Sequence, residues 1–231
     1  MRTWVKSANF AIDGIIYAVK TQRHMRLHLF ATLAALMLGL VLNITRTEFI
    51  LLCMAILLVL VTEMLNTAIE TTVDMISAEY HPMAKTAKDV AAGVVLIASM
   101  GSLMLGYLIL YPAFKAAVMG GHWQLRKAPQ DMVAFVALAV VIILVIILKV
   151  LFGKGEPLRG GMPSGHAAVS FSIWTTVWYL TGSVPIVLLA LLLAITVSWS
   201  RWSSGIHRPI EVIAGALLGA GVTFLFFRLF S

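Results

Sequence analysis

Two short stretches of this 231-residue chain set histidine and arginine between strongly apolar runs: RGGMPSGHAAVS at 159–170 and SRWSSGIHRPIEV at 200–212. In the second, Glu211 follows His207 by four residues. On a helix starting near His207 that spacing lets the carboxylate hold one imidazole nitrogen and leave the other free. A histidine held in this way is a competent nucleophile. In the first stretch Ser164, Gly165 and His166 open a predicted helix, and a helix N-terminus attracts phosphate through its free N–H groups. Lys154, Arg159 and Arg201 supply cations for the equatorial oxygens of a transferring phosphoryl group. The implied chemistry is phosphoryl transfer, with one histidine attacking and the other protonating the departing oxygen. Either stretch alone reads equally well as a capped turn or a basic loop. Two of them, each ending an apolar run and each pairing His with Arg, point to one anion site.

A third stretch, VTEMLNTAIETTVDMISAEYH at 61–81, carries carboxylates into an apolar run. Glu63, Asn66, Glu70 and Asp74 fall within roughly 80° on one helix face at about 100° per residue. Leu65, Ile69, Val73 and Ile76 keep the other side apolar. Charge inside a span is costly and marks function. Carboxylates with an amide can hold Mg²⁺ together with nucleotide phosphates, and Lys88 and Asp89 open the next apolar run with further polar groups.

The elements that position these residues follow from composition. Hydrophobic residues make up 61% and charged residues 12%, with a mean hydropathy of +0.97. A balance this apolar makes the bilayer the solvent. Crossing it takes roughly 20 apolar residues per helix, and isolated spans satisfy their backbone in lipid only as helices. The expected fold is therefore an all-α integral membrane protein. Candidate spans lie near 29–45, 49–76, 90–111, 132–152, 167–181, 184–200 and 209–228, about seven in all, split three and four.

Residues 1–28 read as an interfacial amphipathic helix rather than a cleavable signal, with Trp4, Val5, Ile12 and Ile16 on one side and Lys6, Lys20, Arg23 and Arg26 facing headgroups. The single cysteine, Cys53, excludes an intrachain disulfide. The net charge of +7 fits basic cytoplasmic loops and carries no argument for nucleic acid. The polar segment 111–131 marks the organisation: a first domain over 1–112, a linker over 113–130 and a second domain over 131–231. With the N-terminus inside, alternate segments hold twelve Lys and Arg inside, Lys149 among them, and five outside, together the 17 in the chain. That asymmetry favours an inside N-terminus and puts both polar clusters on the cytoplasmic side.

EMLNTAIETTVD followed by EYH and AKD resembles the small prokaryotic diacylglycerol kinase and undecaprenol kinase family over about residues 1–112. The resemblance implies an interfacial helix plus three spans per protomer, a trimer with shared active sites, and ATP with Mg²⁺. It implies Glu63 as general base on the lipid hydroxyl, Glu70 as metal ligand, and Asn66, Lys88 and Asp89 around the ATP phosphates. Relatives commonly carry a metal-binding glutamate where TQRHMRLH has Gln22. An amide oxygen can coordinate Mg²⁺ but brings no charge, so a weaker metal site follows.

PSGH at 163–166 and SRWSSGIHRPIE at 200–211 resemble the type-2 phosphatidic acid phosphatase family, whose signature is K-x6-R-P, P-S-G-H and S-R-x5-H-x3-D. That resemblance spans about 131–231. It implies His207 as nucleophile, Glu211 in the aspartate's place as its orienter, His166 as general acid, and Arg201, Ser164, Gly165, Lys154 and Arg159 on phosphate, without a metal. The first motif is degenerate: Lys154 precedes Arg159 by five, and Gly160 stands where proline is expected.

The combined expectation is a multi-pass enzyme of the bacterial inner membrane in which a lipid kinase is fused to a lipid phosphatase. Its substrates would be a lipid alcohol and a lipid phosphate or diphosphate. Diacylglycerol, phosphatidate and phosphatidylglycerophosphate stand as candidates beside undecaprenyl lipids, whose phosphorylated and diphosphorylated routes meet in undecaprenyl phosphate. An active phosphatase on an inactive trimerising scaffold is the alternative. Transport is disfavoured because the last four spans have apolar centres.

Overall fold

The computed structural model describes residues 2–77, 79–119, 127–152 and 161–231, and the side chains of 2–6, 8 and 9 lie outside the description. Lys154 and Arg159 also fall outside it. Among the described residues the chain is eight α-helices and no strand: α1 Arg2–Thr21, α2 Arg23–Val41, α3 Arg46–Ile76, α4 Pro82–Met119, α5 Gln130–Phe152, α6 Gly165–Thr181, α7 Val184–Ser203 and α8 Pro209–Phe230. Six of them, α2 to α5, α7 and α8, are long and apolar enough to cross a membrane. The seventh expected span, α6, has 17 residues, and its apolar run starts at Ala167, just past His166. The chain is an all-α integral membrane protein.

The helices form two compact units, residues 18–124 and residues 125–231 together with 1–17. In the first, α3 packs along α4 and against α2. Helix α3 begins on a reciprocal cap: the Thr45 hydroxyl accepts from the Glu48 N–H at 3.3 Å, and the Glu48 carboxylate accepts from the Thr45 N–H at 2.8 Å. Helix α4 runs through Pro112 to Met119, past the expected domain edge at residue 112. The lipid-facing character of this unit is plain in the exposed Leu57, Val61, Leu65, Ile97 and Leu103.

In the second unit α8 packs on α6 and α5, and α6 also packs on α7. Val141, Val145 and Ala168 form a buried cluster, with Leu218 and Val222 against it. The α6–α8 contact is unusually close because α8 lines it with glycine. A Cβ on Gly215 would stand 2.3 Å from the Ser164 carbonyl oxygen, and one on Gly219 would stand 1.9 Å from that of Ala168. Small residues four apart permit such approach in lipid, where dispersion rather than water exclusion holds helices together. One turn further on, the Ser172 and Thr223 hydroxyls bond at 2.7 Å. Gly182, at φ +57°, lets α6 turn directly into α7. This seam sets the starts of α6 and α8 side by side.

Candidate active sites

In the second unit the loop before α8 brings His207 onto Glu211. Pro209 opens the helix, so Glu211 stands in its first turn, where a carboxylate accepts the free N–H groups. One oxygen, Oε2, accepts from the Arg208 N–H at 3.2 Å and lies 2.8 Å from His207 Nδ1. The backbone N–H of Gly161 also reaches this carboxylate. The bond assigns the Nδ1–H tautomer and leaves the lone pair of Nε2 free. His207 is 4% exposed, and its Nε2 has no partner among the described residues.

Helix α6 starts against the same place. The Ser164 N–H donates to the Glu211 carbonyl at 2.9 Å, tying the two loops together. Ser164 is fully buried, and as the residue before α6 its hydroxyl caps nothing and bonds nothing described. The Nε of Arg201 is likewise buried without a described partner, while the Arg201 carbonyl accepts the His207 N–H at 3.2 Å. A buried polar group left unpaired costs about 1–3 kcal/mol. Ser164, Arg201 and His207 each bring such a group, and donors and cations of this kind suit an anion.

Electrostatics agree. Burial first, then the charges of Arg201, His207 and Lys149, push the His166 pKa down to about 4. Burial also lowers His207, with Lys149 and Arg201 adding to it and Glu211 opposing. Both imidazoles are therefore neutral at pH 7. A phosphate dianion arriving among these cations reverses the repulsion and lets His166 take a proton, as a general acid must. Trp199 and Trp202, edge to face at 4.8 Å, sit at the end of α7, and half-exposed tryptophans here suit the headgroup layer.

Lys149 is the residue that motif reading passed over. Counted as a loop cation, it stands close enough to His166, His207 and Glu211 for its charge to act on each. The signal was present in the sequence. Read from Lys149, six residues lead to Glu156-Pro157, so the lysine and proline of K-x6-R-P are in register and only the arginine is replaced. Lys154 and Arg159, the other candidates for this motif, lie outside the described residues.

In the first unit the polar face of α3 is assembled as expected in part. Glu63 is 2% exposed, with His28 Nε2 of α2 at 4.0 Å. Glu70 is held at both oxygens by amides: Gln22 Nε2 donates to Oε2 at 3.1 Å and Asn66 Nδ2 to Oε1 at 3.1 Å. Asn66 Oδ1 is buried without a described partner. Lys88 pairs with Asp74, and Asp89 with Lys85 at 2.7 Å on the exposed side.

No group of three His, Cys, Asp or Glu that could hold a metal occurs among the described residues. The Glu70 carboxylate and the oxygens of the Gln22 and Asn66 amides are hard donors of the kind Mg²⁺ takes, with a single negative charge among them, and here the two amides present their nitrogens to Glu70. An apolar groove of about 850 Å³ runs between α2, α3 and α4, from His28 past Ala35, Ala55 and Ser102 to Tyr111.

An intramembrane carboxylate face in one unit and a buried histidine–carboxylate pair among cations in the other are both suited to phosphoryl chemistry at a membrane. Comparison with known proteins agrees. The prokaryotic diacylglycerol kinase model matches residues 9–110 and the PAP2 superfamily model residues 153–231. The chain is 37% identical over 112 residues to the undecaprenol kinase of Bacillus subtilis, covering 48% of this chain and 91% of that one. It is 31% identical over 110 residues to the diacylglycerol kinase of Escherichia coli K12, covering 48% and 90%. With the diacylglycerol kinase of Synechocystis the identity is 37% over 107 residues, 46% of this chain and 61% of the relative. No solved structure matches. The chain belongs to the prokaryotic diacylglycerol kinase family by its N-terminal half, and residues 153–231 match the PAP2 superfamily model.

Proposed function

We propose that the chain is a two-headed enzyme of lipid phosphate metabolism, with a metal-independent phosphatase behind an ATP- and Mg²⁺-dependent lipid kinase. The observation that carries the phosphatase reading is His207: its Nδ1 is tied to Glu211 at 2.8 Å and its Nε2 is buried and unpartnered among cations. Nε2 attacks phosphorus, His166 protonates the departing oxygen, and water then cleaves the phosphohistidine with His166 as base. Ser164, Gly165, Arg201 and Lys149 hold the phosphoryl oxygens, with Lys154 and Arg159 kept as further candidates.

In the kinase half Glu63 takes the proton of the lipid hydroxyl, at the His28 end of the apolar groove. Gln22, Asn66 and Glu70 would hold Mg²⁺, which when bound neutralises phosphate charge. Lys88 and Asp89 lie toward the ATP phosphates. The family relation supports a homotrimer, and the Lys/Arg asymmetry supports both sites on the cytoplasmic face.

A kinase and a phosphatase acting on one lipid would only cycle. They cooperate if both yield the same product, as undecaprenol plus ATP and undecaprenyl diphosphate plus water both yield undecaprenyl phosphate. The test offers the purified protein each substrate separately; formation of the monophosphate from neither removes this reading. The amide clamp on Glu70 favours a second reading, in which only the phosphatase turns over and the first half is a scaffold. Gln22→Glu separates them. Kinase turnover that exists only in the variant supports the scaffold, whereas turnover in the unaltered chain rejects it.

A further inference from the structure

The cations of the second unit lie at two levels. Arg201 and Lys149 are half-buried and act on His166 and His207, with the Nε of Arg201 itself buried. Arg208 is exposed, and it lines an open cleft of about 410 Å³ with Trp202, Ile206 and the nucleophile itself. Its backbone is fixed, because its N–H is bonded to the Glu211 carboxylate at 3.2 Å and its neighbour Pro209 opens α8. Glu211 is the acidic side chain lining this cleft, and its Oε2 is already engaged by His207 Nδ1 and the Arg208 N–H. Arg208 is thus the residue next to the attacking histidine, exposed where that histidine is buried, and both line the same cleft.

A lipid monophosphate has all its charge on the phosphoryl group that is attacked, where the half-buried Arg201 and Lys149 face it. A lipid diphosphate brings a second phosphate that stays with the leaving group and must lie outside that pocket. Arginine suits such a group, since its planar fork binds two phosphate oxygens at once. Resting on the phosphatase reading, we infer that Arg208 grips this second phosphate and makes the site a lipid diphosphatase. His207 Nε2 bonds to the terminal phosphorus, and the bond from that phosphorus to the bridging oxygen breaks. The lipid monophosphate leaves, its new terminal oxygen taking a proton from His166 or departing as the anion held by Arg208. Water then attacks the phosphohistidine, giving its proton to His166, and inorganic phosphate and neutral His207 are left.

Farnesyl diphosphate and farnesyl monophosphate share one tail and differ by one phosphate, so they isolate the effect. For Arg208→Gln in the full chain, kcat/KM on the diphosphate falls at least tenfold, mostly through KM, and changes less than twofold on the monophosphate. Arg208→Lys recovers part of the loss. In parallel, inhibition by methylene diphosphonate weakens in Arg208→Gln while inhibition by vanadate does not. Equal losses on both substrates would make Arg208 a general anchor at the headgroups and overturn the inference, as would an unchanged diphosphate rate. A wild-type chain inert toward both substrates would instead reject the phosphatase reading on which the inference rests.

Discussion

Glu211 has two duties on one oxygen, holding the His207 ring at 2.8 Å and closing the first turn of α8 through the Arg208 N–H at 3.2 Å. Glutamine keeps the shape and an acceptor but loses the charge that stabilises an imidazolium-like transition state. Glu211→Gln is therefore expected to lower phosphatase kcat about 10²-fold or more, with KM little changed, as read by steady-state phosphate release. His166 supplies a pH prediction. Its pKa in the fold is about 4 against an ordinary 6.5. The unfolded chain binds the proton more readily between those values, so the stability from a neutral His166 is complete above about pH 6.5 and is lost as pH falls toward 4. Unfolding midpoints of the phosphate-free protein in detergent should decline across that window, and His166→Gln should flatten the decline. An equally steep fall in the variant would assign the effect to other groups.

Between elements, the α6–α8 seam decides whether the two loops meet. Gly219 admits no Cβ without displacing the Ala168 carbonyl, 1.9 Å away, whereas a Cβ on Gly221, two residues on, meets nothing within 4 Å. Gly219→Ala should destabilise by about 1–3 kcal/mol through overpacking and cut phosphatase turnover by spreading His166 from His207. Gly221→Ala should be neutral or gain up to about 1 kcal/mol from helix propensity. Thermal unfolding with activity assays on both variants checks the contrast. Similar behaviour of the pair would mean that the seam does not set the site.

For the molecule as a whole, two heads of different chemistry should fail separately. EDTA is expected to stop ATP-dependent lipid phosphorylation and leave phosphate release intact, since in the proposed mechanism histidine and guanidinium groups carry the second reaction. Vanadate should do the reverse. Both are read on one purified sample with radiolabelled ATP and a lipid phosphate, and joint loss in EDTA would contradict a metal-free phosphatase.

Much of this was legible from residue types alone. Hydropathy runs long enough to cross a bilayer leave helices as the only solution, so the helical fold and nearly every span follow from composition and length. His207 and Glu211 were readable as a pair because spacing of four on a helix is local geometry. Lys149 and Gly219 are different. Their importance comes from atoms 50 or more residues away or from a neighbouring helix, and spacing along one chain does not report distance across a seam. Likewise the sequence names Gln22, Asn66 and Glu70, but only the packed helices show two amides occupying both oxygens of one carboxylate. Lys88 and Asp89 were placed by motif beside phosphates, while in the fold their charges are satisfied by Asp74 and Lys85. Local chemistry and the solvent of each helix are written in residue order. Which charges face one another depends on how closely two backbones can approach, and that is decided by the missing side chains of Gly215 and Gly219.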